Sequence, residues 1–107
     1  SVAGLIPESN IKEFIQTTTE AQNFQEMQKL CKKCIREAYP AHNFIEQLHD
    51  EITETQGLSN IQKSKICIQL AQTEKALIDG ADEYLQLLNL GSFIIRTCHK
   101  DEDAMTD

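Results

Sequence analysis

The chain of 107 residues contains no tryptophan, two prolines and four glycines, and aromatic residues make up only 6% of it. The glycines, at positions 4, 57, 80 and 91, stand singly. No glycine-rich loop of the kind that cradles a phosphate can be formed from them, which excludes nucleotide sites of the common loop types from this segment. No apolar run approaches the roughly 20 residues that cross a bilayer, and Ser1–Pro7 has neither the charge nor the apolar core of a signal peptide. Basic residues are in the minority, 10 Lys and Arg against 17 Asp and Glu, for a net charge of −7. Such a surface repels phosphate backbones and argues against non-specific nucleic-acid binding. A start at Ser1 rather than Met is expected of a piece of a longer protein.

What is present is helical periodicity. The composition, 40% hydrophobic and 25% charged, is that of a globular domain with a single core. Ile11, Phe14, Ile15 and Thr18 predict a short first helix after Pro7, with Ser9 or Asn10 as its cap. Asn23 and Glu26 have capping-box spacing, and Phe24, Met27, Cys31, Cys34, Ile35 and Ala38 then fall within about 60° of one direction. Pro40 suits the first turn of a third helix carrying Ala41, Phe44, Ile45, Leu48 and Ile52, which Gly57 should stop. Ser59 and Gln62 open a fourth helix that Gly80 ends. No strand-length alternation competes with these patterns, so the expectation is an all-α, compact bundle of about five helices over residues 1–100. The acidic DEDAMTD stretch, 101–107, is expected to be a frayed tail.

The last two helices have more apolar surface than one core requires. In the fourth, Ile61, Cys67, Ile68, Ala71 and Ile78 face one way, and Ile66, Leu70 and Leu77 face roughly the opposite way. In the fifth, the residues from Ala81 to Cys98 put apolar side chains over roughly 220° of the circumference, where a surface helix needs little more than about 100°. Gly91 lies within that sector and predicts close approach of another backbone. The surplus points to assembly with other chains. The expected contact face comprises Leu87, Leu90 and Ile94, with Ile66, Leu70 and Leu77 nearby.

Catalytic chemistry is not visible. Cys31-Lys-Lys-Cys34 has the spacing of a zinc half-site or a redox pair, but Cys67 and Cys98 are single cysteines on other helices and no strand precedes the motif. Buried core cysteines are the preferred reading, in a reducing compartment. His49 sits at the edge of the third helix's apolar stripe without a nucleophile of suitable context, and His42 and His99 lack an acidic or thiol constellation. Asp50/Glu51 and Asp82/Glu83 are adjacent pairs that splay apart on a helix. Lys29, Lys32, Lys33 and Arg36 read as a solvated face.

Three stretches of words carry more than periodicity. Gly4-Leu5-Ile6-Pro7, Gln47-Leu48-His49-Asp50, and Asp79-Gly80-Ala81-Asp82-Glu83 followed by Leu85-Gln86-Leu87 closely resemble the C-terminal domain of replication factor C small subunits, colinearly from about Gly4 to Cys98. The resemblance implies a helical collar domain that holds the subunits of a pentameric clamp loader together, without catalytic, cofactor or metal residues of its own. It implies ATP and magnesium sites in an N-terminal module outside this segment. It further implies other replication factor C subunits as partners, contact with the clamp PCNA and with DNA only through the rest of the protein, no membrane, and a nuclear location. Pro40 and the DEDAMTD stretch depart from the family pattern, which leaves the role of the tail open. The alternative of another class is a free-standing adaptor that binds an amphipathic peptide between the fourth and fifth helices.

Overall fold

The computed structural model describes residues 5–106, with side chains through His99. Gly4, the first residue of one resemblance stretch, lies outside the described residues. Among them are five α-helices: α1 Glu8–Ile15, α2 Phe24–Arg36, α3 Ala41–Glu54, α4 Asn60–Ile78 and α5 Glu83–Thr106, with a π-helical turn over Gln16–Glu20 after α1. No strand occurs among the described residues, so the all-α expectation holds.

Local chemistry explains most of the boundaries. The side chain of Asn23 accepts from the Glu26 N–H at 3.1 Å and starts α2. Ser59 and Gln62 form both halves of a capping box, at 3.0 and 2.8 Å, which satisfies donors that a helix N-terminus otherwise leaves open. Asp82 is the cap of α5 rather than part of its first turn: its carboxylate accepts from the Leu85 N–H at 2.9 Å. At the end of α4, Gly80 takes φ +99° and its N–H donates to the Leu77 carbonyl at 3.0 Å, a conformation that suits a residue without Cβ. α2 ends with Ala38 in that same left-handed region, φ +57°.

Some boundaries differ from expectation. α1 begins at Glu8 with Pro7 at its cap position and no side-chain cap, so Ser9 and Asn10 lie inside the first turn. Asn10 instead donates to the Tyr39 hydroxyl and accepts from Lys33 Nζ, each at 3.4 Å. α3 stops at Glu54, with Thr55 as its cap, before Gly57 is reached. Thr18 falls in the π-helical turn, fully buried, where its hydroxyl donates to the Phe14 and Ile15 carbonyls at 2.9 and 3.1 Å. The backbone of α5 continues through Thr106 where a separate tail over 101–107 was expected. Acidic residues oppose the dipole at a helix C-terminus, but neither proline nor glycine follows Gly91 to break the helix.

α5 lies between α2 and α4, while α3 packs against α4 and α1. The core is built from Phe14, Met27, Leu48, Ile52, Ile66, Leu70, Leu87, Leu90 and Ile94, among others. The Phe14 and Phe44 rings meet edge to face with centroids 5.1 Å apart, which joins α1 to α3. Gly91 is the closest point of the α2–α5 seam. A Cβ there would lie 2.4 Å from Met27 Sδ, so the neighbour that requires glycine is a buried side chain, not the second backbone anticipated from the sequence.

The expected contact face is corrected by this packing. Ile66, Leu70, Leu87, Leu90 and Ile94 are each no more than 2% exposed, and Leu77 is half-buried against the same cluster. They form the wall between α4 and α5, and of the six only Leu77 keeps appreciable surface in water. The peptide-binding groove proposed between those two helices is filled by the same side chains. The two stripes on α4 exist as read, but the side turned inward is the opposite one.

Candidate interaction surface

With Ile66, Leu70 and the fully buried Thr73 turned inward, the helical period carries Ile61, Ile68 and Ile78 to the outside of α4. They are 65%, 60% and 78% exposed. Ala71 lies between them, also exposed. At 1.5 Å per residue this face extends about 25 Å. Three isoleucines in this state leave on the order of 300 Å² of apolar surface in water, enough to mark an interaction site when it is contiguous. Lys65 and Lys75 punctuate the stripe, and Lys75 is held by Asp79 at 3.0 Å. Leu85 adds a further exposed apolar side chain at the start of α5.

Two hollows flank this face. One, about 300 Å³, lies between α3 and α4, with Ile45, Leu70, Ala71 and Cys67 as its apolar part and Glu46, His49, Asp50 and Glu74 as its polar part. The other, about 420 Å³, is formed where Pro40, Ala41 and His42 meet Leu77, Ile78 and Glu83. His42 joins the two helices: Nε2 is 3.1 Å from Glu46 and Nδ1 is 2.5 Å from Glu74.

Burial raises the thiols of Cys31, Cys34 and Cys67. Cys31 and Cys34 face the core at 1% and 6% exposure. Burial, reinforced by the neighbouring Cys34, pushes the Cys31 thiol up to about 12. Burial pushes Cys34 up to about 11 against the opposing effect of Lys33. Cys67 shares a hollow with His49, but burial raises its thiol too, with Lys63 only partly opposing. Activated cysteines show the reverse shift. His49 has Asp50 at 3.8 Å. No group of three or more His, Cys, Asp or Glu gathers in a metal-binding arrangement among the described residues. No helix there is long and apolar enough to cross a membrane.

The stripe could have been assigned correctly from one residue. Lys75 projects between Ile68 and Ala71 on the wheel, whereas the sector holding Ile66, Leu70, Thr73 and Leu77 contains no charge. A lysine within an apolar stripe marks the side that faces water. On α5, the side of the 220° sector from Leu90 through Ile94 and Leu87 to Cys98 is core, Tyr84, Ile95 and Leu88 follow half-buried, and Leu85 at the far edge is exposed.

With five helices and an exposed apolar face on α4 in place, comparison with known proteins makes the family plain. Residues 6–92 match the replication factor C C-terminal domain. Over 96 residues the chain is 38% identical to replication factor C subunit 4 of Arabidopsis thaliana, an alignment spanning 89% of this chain and 28% of that protein. It is 36% identical over 95 residues to replication factor C subunit 4 of Homo sapiens, covering 89% and 26%. It is 35% identical over 97 residues to replication factor C subunit 2 of Schizosaccharomyces pombe, covering 91% and 28%. The chain belongs to the replication factor C C-terminal domain family, as the C-terminal domain of a small subunit. It spans about a quarter of the length of these curated relatives.

Proposed function

We propose that this chain is the non-catalytic collar of a clamp-loader subunit, and that it holds the subunit to its neighbours in a multi-subunit ring. In this reading the complete assembly places the PCNA sliding clamp on primer–template DNA in the nucleus. ATP and magnesium act in an N-terminal module, and PCNA and DNA are met through the rest of the protein. The observation that carries the assembly role is the outer face of α4, where Ile61, Ile68 and Ile78 stand in water although the core inside is complete. At about 25 cal/mol per Å², covering that face is worth several kcal/mol before the costs of association. The buried, protonated thiols of Cys31 and Cys34 support a structural rather than a catalytic part for the CxxC.

The test is reconstitution of the full-length subunit with its partner subunits. Ile61→Asp/Ile68→Asp should leave the melting temperature of the subunit unchanged and abolish its incorporation. Normal incorporation of the folded double variant would remove α4 from the assembly surface.

A further inference from the structure

Two of the three stretches that resemble the family, Gly4–Pro7 and Gln47–Asp50, are joined by one side chain. Gln47 lies 41 positions after Ile6, yet its amide takes both backbone groups of that residue. Gln47 Oε1 accepts from the Ile6 N–H at 2.9 Å, and Nε2 donates to the Ile6 carbonyl at 2.8 Å. The side chain thus does for Ile6 what a hydrogen-bonded residue on a neighbouring antiparallel strand would do. The reversed amide would set N–H against N–H and oxygen against oxygen. Both atoms are satisfied in one orientation only, so the pairing fixes Gln47 as firmly as the chain it holds.

Two further restraints act at the same point. The Ile6 side chain is 2% exposed and belongs to the core cluster. Pro7 has its φ set by its ring and restricts the residue before it to extended backbone. The Pro7 carbonyl then accepts from the Asn10 N–H at 2.9 Å as α1 begins. The first residues of a domain ordinarily fray unless they are tied down. Here three ties act within two residues, and Leu5, directly before them, is 56% exposed. Burial of the Ile6 side chain serves the core by itself. The backbone groups of Ile6 are held in only partly buried bonds, where water is an alternative partner. A side chain from another helix adds direction.

Resting on the collar reading above in one respect, that a module precedes this domain, we propose that Gln47 is a positioning residue for that module. By clamping Ile6 to α3 it sets the direction from which the preceding chain joins the collar. Without the clamp, the joint would hold the chain by the Ile6 side chain and the Pro7 ring alone, and the module would swing through a wider range of orientations. Relative motion of linked domains is the default unless something restrains it. The Gln47–Ile6 pair is that restraint at the collar's end of the joint.

The full-length subunit tests the proposal, with one spin label on the preceding module and a second at Asn89, which is exposed on α5. Both labels are attached without cysteine chemistry, so the native thiols stay. Gln47→Ala removes both hydrogen bonds. It should broaden the distribution of distances between the labels about twofold or more and speed exchange of the Ile6 amide about tenfold or more. Gln47→Glu still accepts from the Ile6 N–H but sets an oxygen against the Ile6 carbonyl, and its distribution should fall between those of parent and Gln47→Ala. Gly91→Ala crowds Met27 instead and should leave the distribution at the parent's width. A parent-width distribution in Gln47→Ala, or equal broadening by Gly91→Ala, would overturn the proposal. Should Gln47→Ala melt below the measuring temperature, Gln47→Glu decides by the same criteria. No partner subunit takes part in this measurement. Normal incorporation of the α4 double variant would therefore sink the assembly role and leave the clamp standing, while an unchanged distribution would sink the clamp and leave the assembly role.

Discussion

Helix α5 carries apolar side chains over about 220° of its circumference and keeps one side of that sector out of water, with Leu90, Ile94 and Leu87 at 2% exposure or less. Helix α4 carries two narrower stripes, and one of them, with Ile61, Ile68 and Ile78, faces solvent. By apolar content alone α5 is the better candidate for an interface, yet the surplus in water belongs chiefly to α4. The reason is position. α5 packs against both α2 and α4, so most of its wide sector is covered by two neighbours. α4 has α5 and α3 against its inner side, and Ile61, Ile68 and Ile78 of its second stripe stand exposed. The width of an apolar sector reports how much surface must be covered; the number of flanking elements decides whether the chain itself covers it.

The strongest way to break this contrast is to place the same charge on each helix. Leu90→Asp puts a carboxylate without a partner into the centre of the core and should cost more than about 4 kcal/mol, unfolding the isolated domain. Ile68→Asp on α4 should change stability by no more than about 0.5 kcal/mol. Thermal melting of the two variants side by side checks both. Equal destabilisation would mean that the outer face of α4 is not free within the domain.

The contrast was half legible in the sequence. Number, order and type of the helices follow from apolar spacing and from caps such as Asn23, Ser59 and Gly80, whose chemistry is local. Burial of Cys31 and Cys34 followed from the stripe they share with Met27. The choice between the two faces of α4 was not legible from periodicity, because a helix wheel has no outside until a neighbour is placed on it. Lys75 was the available signal. The acidic hollow depends on α3 and α4 meeting side by side, and no spacing within either helix encodes that meeting. The tight contact at Gly91 was legible as a close approach, but its partner, Met27, lies 64 positions earlier and became known only through packing.

A smaller effect sharpens the account of α5 as the crowded helix. Gly91→Ala drives a methyl group into Met27, which is itself fully buried and closed in. Overpacking should cost about 1–3 kcal/mol, opposed by up to about 1 kcal/mol from the better helix propensity of alanine. Net destabilisation in denaturant melts, relieved by Met27→Ala in the double variant, is the expected result; a net gain in stability would mean that the seam has slack.

The smallest effect concerns the α2 wall that seals α5. Cys31 and Cys34 have folded-state values of about 12 and about 11, above the roughly 8.5 of an unfolded thiol. The unfolded chain therefore releases these protons first. Stability from the two thiols is fully present below about pH 8.5 and falls as pH rises toward the folded values, by up to about 1.4 kcal/mol per thiol per pH unit. Cys31→Val/Cys34→Val should remain folded, at a cost within about 1.5 kcal/mol near neutral pH, and should lose stability less steeply between pH 9 and 10.5. Parallel pH curves for parent and variant would contradict burial of the pair.

Whether the outer face of α4 is covered in the assembled protein can be read directly. In a Cys67→Ser background, Ile68→Cys places a thiol on that face, and its alkylation rate can be followed in the free subunit and in the reconstituted complex. The account predicts free-subunit labelling close to that of an exposed thiol and slowing of about tenfold or more on assembly. Equal rates in the two states, with the complex shown to be intact, would contradict it.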